Sequence, residues 1–159
     1  MRDILFRGKD KDDGKWYEGA YRAYDDTTYC FKEDCDRHPE NTHHTIVFSR
    51  MTDWGLPNRH LQAEVIPETV GQYTGLQDKN GKRVFEGDIV QFEDDTPGQY
   101  EYHDDIFMNV GVVEYNNGRF YFTNRVSVEM DDIIYENIAD CTVIGNIHDN
   151  PELLENGNE

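Results

Sequence analysis

Residues 67–90 read Pro67-Glu68-Thr69-Val70-Gly71-Gln72-Tyr73-Thr74-Gly75-Leu76-Gln77-Asp78-Lys79-Asn80-Gly81-Lys82-Arg83-Val84-Phe85-Glu86-Gly87-Asp88-Ile89-Val90. Pro67 opens a helical turn, and Gly71 to Leu76 follows as an extended segment. Asn80-Gly81 then sits between two such segments. Both residues tolerate the positive φ of a two-residue hairpin turn, so the chain should fold back on itself here. Glu86-Gly87-Asp88 breaks the returning strand, and Ile89-Val90-Gln91-Phe92 resumes it with apolar residues. Strand, turn, strand, break and strand in such close succession leave no room for a helix. The fold should be antiparallel β.

The flanks repeat this grammar. Downstream, Asn109 to Tyr115 and Arg119 to Thr123 form a hairpin across Asn116-Asn117-Gly118, with Phe120 and Phe122 on one face. Asp131 to Tyr135 fits either a short helix or a strand. Cys141 to Ile147 reads as a last strand. Asn150 then caps a single helical turn that starts at Pro151. Upstream, Ile4 to Gly8 and Lys15 to Tyr24 make a first hairpin around Lys9 to Gly14. Thr28 to Lys32 and Thr45 to Ser49 are expected as further strands, with 33–44 a loop between them. Met51 to Ala63, which contains Trp54, Gly55, Pro57 and Asn58, shows no period. Val, Ile, Tyr, Phe and Trp number 41 against 14 Ala, Leu and Met, a bias toward side chains that suit a pleated surface. The expected core comprises Ile4, Phe6, Trp16, Tyr73, Val84, Ile89, Val90, Val112, Phe120, Phe122, Val143 and Ile144.

Charge limits the function. Lys and Arg number 15 against 33 Asp and Glu, a net charge of −18 over 159 residues. The imbalance is concentrated: residues 1–83 hold 13 bases and 15 acids, whereas 84–159 hold 18 acids against Arg119 and Arg125. Phosphate-backbone binding is driven by cationic side chains that release counterions, so direct nucleic-acid binding is not expected. No apolar run approaches the ~20 residues of a membrane span. The opening Met1-Arg2-Asp3-Ile4-Leu5-Phe6-Arg7 turns polar too soon for a secretory signal. Three cysteines, an odd number, suit a reducing compartment, and the chain reads as cytoplasmic.

The run Pro67 to Lys82 with Phe85 to Val90, the opening Arg2 to Arg7, Lys15-Trp16 and the closing Val143 to Leu154 together resemble the YopX family of bacteriophage and prophage proteins. The motif residues that carry the resemblance are Gly71, Gln72, Tyr73, Thr74, Gly75, Glu86, Gly87 and Asp88. The resemblance implies a mostly β fold whose C-terminal part is similar to a small barrel; it implies no chemistry. The stretch 30–44 and the acidic loop 93–105 depart from the pattern. The expected fold is therefore mainly β with short helical turns. It has an N-terminal β-hairpin region, residues 1–66, and a C-terminal SH3-like small β-barrel region, residues 67–159.

Candidate chemistry is sparse. Cys30, Cys35, His38 and His43, with His44 beside them, have the side chains of a zinc site. Their paired spacings are permitted, but a zinc finger separates its pairs by a long spacer. Charged neighbours make a solvated loop the simpler reading, and no cofactor is expected. Glu86, Asp88, Glu93, Asp94 and Asp95 offer oxygen ligands for a hard cation such as Mg²⁺, without the glycine-bearing loop of a calcium site. No nucleophile elbow, P-loop or dinucleotide fingerprint occurs. The reading that results is a non-enzymatic phage-type accessory protein acting by protein–protein contacts and forming homo-oligomers. Two alternatives stand beside it: an acidic DNA-mimic decoy for a basic host protein, and a metal-dependent hydrolase using the acidic edge.

Overall fold

β1 (Phe6–Lys9) and β2 (Trp16–Asp25) pair antiparallel, Phe6 opposite Gly19 and Lys9 opposite Trp16. Asp10 shapes the turn between them, its carboxylate accepting the amides of Asp12 and Asp13, each at 2.8 Å. This computed structural model describes residues 3–93, 108–124 and 141–154. Two further strands, β3 (Thr42–Arg50) and β4 (Arg59–Glu64), extend the sheet in the order β4-β3-β2-β1. The free edge of β1 takes the start of β5 (Gly71–Gln77), with Arg7 opposite Gly71. Asp10 bridges to Val65, the Ile66 amide donates to the Lys9 carbonyl at 2.9 Å, and the Lys9 amide donates to Thr69 Oγ1 at 2.9 Å. The Pro67–Thr69 helical turn is thereby fastened to β1. Ile46, Ala63 and Val65 form the core here, with Phe6, Tyr17, Tyr21, Phe48 and Val70 packed around them.

The chain divides into two compact units, residues 1–72 and 73–159, and β5 runs across the division. In the second unit the remainder of β5 pairs with β6 (Arg83–Phe85), Tyr73 opposite Phe85. The register shifts before Gln77, and Gly75 supplies the bulge with φ 91°, a value costly for any residue with a Cβ. A four-stranded sheet follows, ordered β10-β7-β8-β9, from β7 (Asp88–Glu93), β8 (Met108–Asn116), β9 (Arg119–Asn124) and β10 (Thr142–Asn146). Asn117 and Gly118, with φ of 52° and 84°, make the tight turn between β8 and β9. Val84, Val90, Phe92, Val113, Phe122, Cys141 and Val143 are buried together. Among the described residues nothing pairs β9 with β10, and the described strands do not close into a barrel.

Several expectations change. Residues 28–32 are not a strand; Lys32–Asp36 is a short helix, α1, whose Glu33 and Asp34 suit the positive end of its dipole. β3 begins at Thr42, so His43 and His44 lie on a strand and not in a loop. A strand, β4, forms where no period was visible, because its first residues are exposed on both faces. Ile4 is 70% exposed, since it precedes β1 and no strand covers it. Ile144 is also exposed: it sits at the register shift between Val143 and Gly145, where the bulge turns its side chain outward. Phe6, Trp16, Val112 and Phe120 are half-buried. Residues 94–105 of the acidic loop, and 131–135, lie outside the described residues.

Asp78 is the buried polar centre of the second unit. Oδ1 accepts the amides of Asn80 and Lys82 at 2.8 and 2.9 Å, and Oδ2 accepts that of Val143 at 3.1 Å. Burial pushes this carboxyl up, but the Val143, Lys82 and Asn80 amides outweigh it and hold it below the ordinary carboxylate range. A group depressed in the folded state contributes stability above its unfolded value, and the contribution disappears as pH falls through the folded value. Asp78→Ala leaves buried donors without an acceptor and should cost about 2–4 kcal/mol in urea unfolding at neutral pH. The gap from wild type should narrow in acid. Phe122→Ala should cost ~3–5 kcal/mol, whereas Ile4→Ala should stay within ~0.5 kcal/mol; the same unfolding curves measure both.

Candidate functional site

The motif residues build structure. Gly71 and Gln72 pair with β1, and Tyr73 packs its ring on Phe85 at 5.4 Å. Thr74 Oγ1 donates to the Val84 carbonyl at 2.9 Å. Gly87 donates its amide to Val113 and accepts from Ile147, joining the break before β7 to β8 and to the end of β10. Asp88 is buried and its Oδ2 accepts the Phe85 amide at 2.8 Å, closing the turn around Glu86 and Gly87. Its carboxylate is directed into the fold, and Glu86 is half-buried beside it. The side chains of Glu93, Asp94 and Asp95 lie outside the described residues.

The Cys and His candidates are dispersed. Cys30 is exposed. Cys35, on α1, donates its thiol to Asp25 Oδ2 at 3.7 Å. His38 meets Glu40 at 2.9 Å and stacks on Tyr29. His44 Nδ1 and the Tyr21 hydroxyl are 2.6 Å apart. The β2–β3 register sets His43 opposite Tyr24 and His44 opposite Ala23, so the two imidazoles leave opposite faces of one sheet. Among the described residues no three His, Cys, Asp or Glu side chains are grouped to hold a metal ion. A cleft of about 290 Å³ opens beside Asp25, Tyr29, Phe31, Lys32 and Cys35. Burial, then Asp25, raises the Cys35 thiol; burial, then Asp78, pushes Cys141 up to about 11. Neither is the depressed thiolate that a nucleophile needs.

The β3–β4 hairpin presents a surface that motif reading missed. β2 pairs with β3 only as far as Ala20 opposite Val47, and the Tyr17 ring stacks on Phe48 at 4.8 Å just beyond. From Ser49 to His60 the two strands continue as an arm, exposed along its whole length. At its apex the Leu56 amide donates to the Asp53 carbonyl, and Asp53 Oδ1 accepts the Trp54 amide at 2.7 Å. Thr52 Oγ1 donates to the Pro57 carbonyl across the loop. This frame holds Trp54 95% exposed, between Met51 at 73% and Leu56 at 59%. At the base Arg50 stands directly opposite Arg59, a like-charge cross-strand pair. Neither guanidinium meets a carboxylate among the described residues. The sequence signal was there: three large apolar residues between two arginines, in a segment with no strand or helix period to bury them.

His43 is the one candidate with a fixed electrostatic role. Nε2 lies 2.9 Å from Asp26 and Nδ1 3.1 Å from Glu64, which also pairs with Lys11 at 2.8 Å. Both ring nitrogens can donate only in the imidazolium, so the Asp26 and Glu64 hydrogen bonds raise its pKa above the ordinary 6.5. A raised group contributes stability below its unfolded value, lost as pH rises through the folded value. The advantage of wild type over His43→Gln should therefore be present in mildly acidic buffer and vanish at alkaline pH. Urea midpoints across that range, with an NMR titration of the ring, check it.

The YopX protein family matches residues 5–155. Among solved structures the chain is similar to the crystal structure of protein EF1440 from Enterococcus faecalis. The two are 23% identical with a TM-score of 0.46, over 97% of this chain and 99% of that one. No curated protein matches. With the match covering nearly the whole chain, from ahead of β1 to the turn after β10, the protein belongs to the YopX family.

Proposed function

We propose that this is a phage-type accessory protein that works through protein–protein contacts, without substrate turnover, in the cytoplasm and as a homo-oligomer. The observation that carries the reading is the Trp54 arm. Burying a Trp side chain removes some 150–250 Å² from water, and Trp and Arg are the residue types that most often dominate interfaces. Here both project from the part of the β3–β4 hairpin that lies beyond the pairing with β2. The three free cysteines suit the compartment proposed. We extend the reading to an SH3-like second unit, on the strength of its short antiparallel strands and the glycine break ahead of β7. Duplex DNA falls outside it, because residues 84–118 hold nine carboxylates and no Lys or Arg.

A second reading, the acidic decoy, is favoured by the 18 acids against two arginines in residues 84–159. The two readings separate in one experiment: contact partners, self or other, captured with wild type and with Trp54→Ala at low and high salt. Contact through the arm predicts capture that Trp54→Ala abolishes, with the melting temperature unchanged. Decoy binding predicts capture that ignores Trp54 and collapses as salt screens the charge. Indifference to both changes would sink both readings.

A further inference from the structure

We propose that the partner of the arm is a second copy of this chain: the Trp54 arm of one copy docks on the β10 edge of the next, head to tail. The inference rests on the reading of the arm as a contact surface and names what occupies it. The arm's chemistry defines its complement. Two adjacent guanidiniums that meet no carboxylate among the described residues, with Trp54, Met51 and Leu56 beyond them, fit an acidic surface that also exposes apolar side chains.

The chain carries such a surface. Among the described residues β10 is the last strand of its sheet, and Ile144, at the bulge, and Ile147, in the turn after Asn146, are 36% and 37% exposed. Asp149 and Glu152 follow within the same segment, both exposed, and residues 141–154 contain no Lys or Arg.

Charge selects the arrangement. Tip-to-tip pairing would crowd four arginines together. Head-to-tail pairing instead sets the two arginines of the arm against residues of the half, 84–159, in which acids outnumber bases 18 to two. The attraction comes from the arginine pair meeting carboxylates, while the repulsion between halves that both carry net negative charge is screened over ~8 Å at physiological salt. A single-stranded nucleic acid would also stack on Trp54 and pair with the arginines. Its phosphates beyond the tip would then meet a chain of net charge −18. A heterologous contact of this kind closes into a ring or grows as a filament.

The test is complementation. Mass is measured by light scattering and sedimentation at ~0.15 M salt, from micromolar upward, for wild type, Trp54→Ala, the arm variant R50E/R59E and the edge variant I144S/E152K. All substituted positions are exposed, and an unchanged melting temperature confirms each fold. Wild type should associate with rising concentration, and each variant alone should weaken association by about thirtyfold or more, as loss of a dominant contact does. The arm variant mixed with the edge variant should restore a one-to-one complex, since one intact arm and one intact edge remain. Strictly monomeric wild type would overturn the inference and the homo-oligomer part of the proposed function, while leaving contact with another protein to the capture experiment. Association that survives Trp54→Ala and R50E/R59E would remove the arm from both. Mixed variants that stay apart would overturn the head-to-tail arrangement. Trp54 emission quenched by a single-stranded oligonucleotide, in protein that does not self-associate, would reassign the arm to nucleic acid.

Discussion

The second unit hangs on one buried carboxylate. Asp78 takes the amides of Asn80 and Lys82 with one oxygen, which fixes the Asn-Gly turn, and that of Val143, 65 residues later, with the other. The Lys79 amide adds a hydrogen bond to the Cys141 carbonyl at 3.0 Å. The β5–β6 hairpin and the last strand are held at one point, and Val143 is set in the core beside Val84 and Val90. Three backbone donors turn a costly buried charge into an anchor, because hydrogen bonds to an ionised acceptor are the strong ones. A chain with few apolar residues depends on such anchors more than one with a thick core.

The motif that marks the family is architectural for the same reason. Gly75 permits a bulge, Thr74 ties β5 to the Val84 carbonyl, and Asp88 with Gly87 joins β6 to β7 and β8. These are demands of backbone geometry, and they say nothing of a substrate. What distinguishes the surface lies elsewhere, in the β3–β4 hairpin, where the chain maintains a like-charge arginine pair and a solvent-exposed indole. The arginine pair costs stability in an isolated monomer, and the indole, as wet as in the unfolded chain, gains nothing until it is covered. Both become favourable against an acidic, partly apolar partner.

The Cys and His residues show how far spacing misleads. Cys30, Cys35, His38 and His43 lie close in sequence, yet a helix, a helical turn and the start of β3 intervene, Cys30 is exposed, and Cys35, His38 and His43 each meet a different carboxylate. Sequence proximity would gather them only if the segment were a loop wrapped around an ion.

Local chemistry in the sequence was enough to determine the antiparallel β class, the turns at Asn80-Gly81 and Asn117-Gly118, and the strands they join. Turn residues act over a few positions and need nothing distant. Apolar alternation likewise located Val84, Ile89, Val90, Phe122 and Val143 in the core. Only tertiary structure decided the rest. It turned Ile144 out through a register shift with β7, left Ile4 uncovered, and completed the Asp78 anchor with an amide from the far end of the chain. It made β4 a strand because β3 was there to pair with it, although its own first residues carry no pattern. The Trp54 arm belongs to this second class: whether an apolar residue is buried or exposed depends on where the neighbouring strand ends, and β2 ends its pairing at Val47.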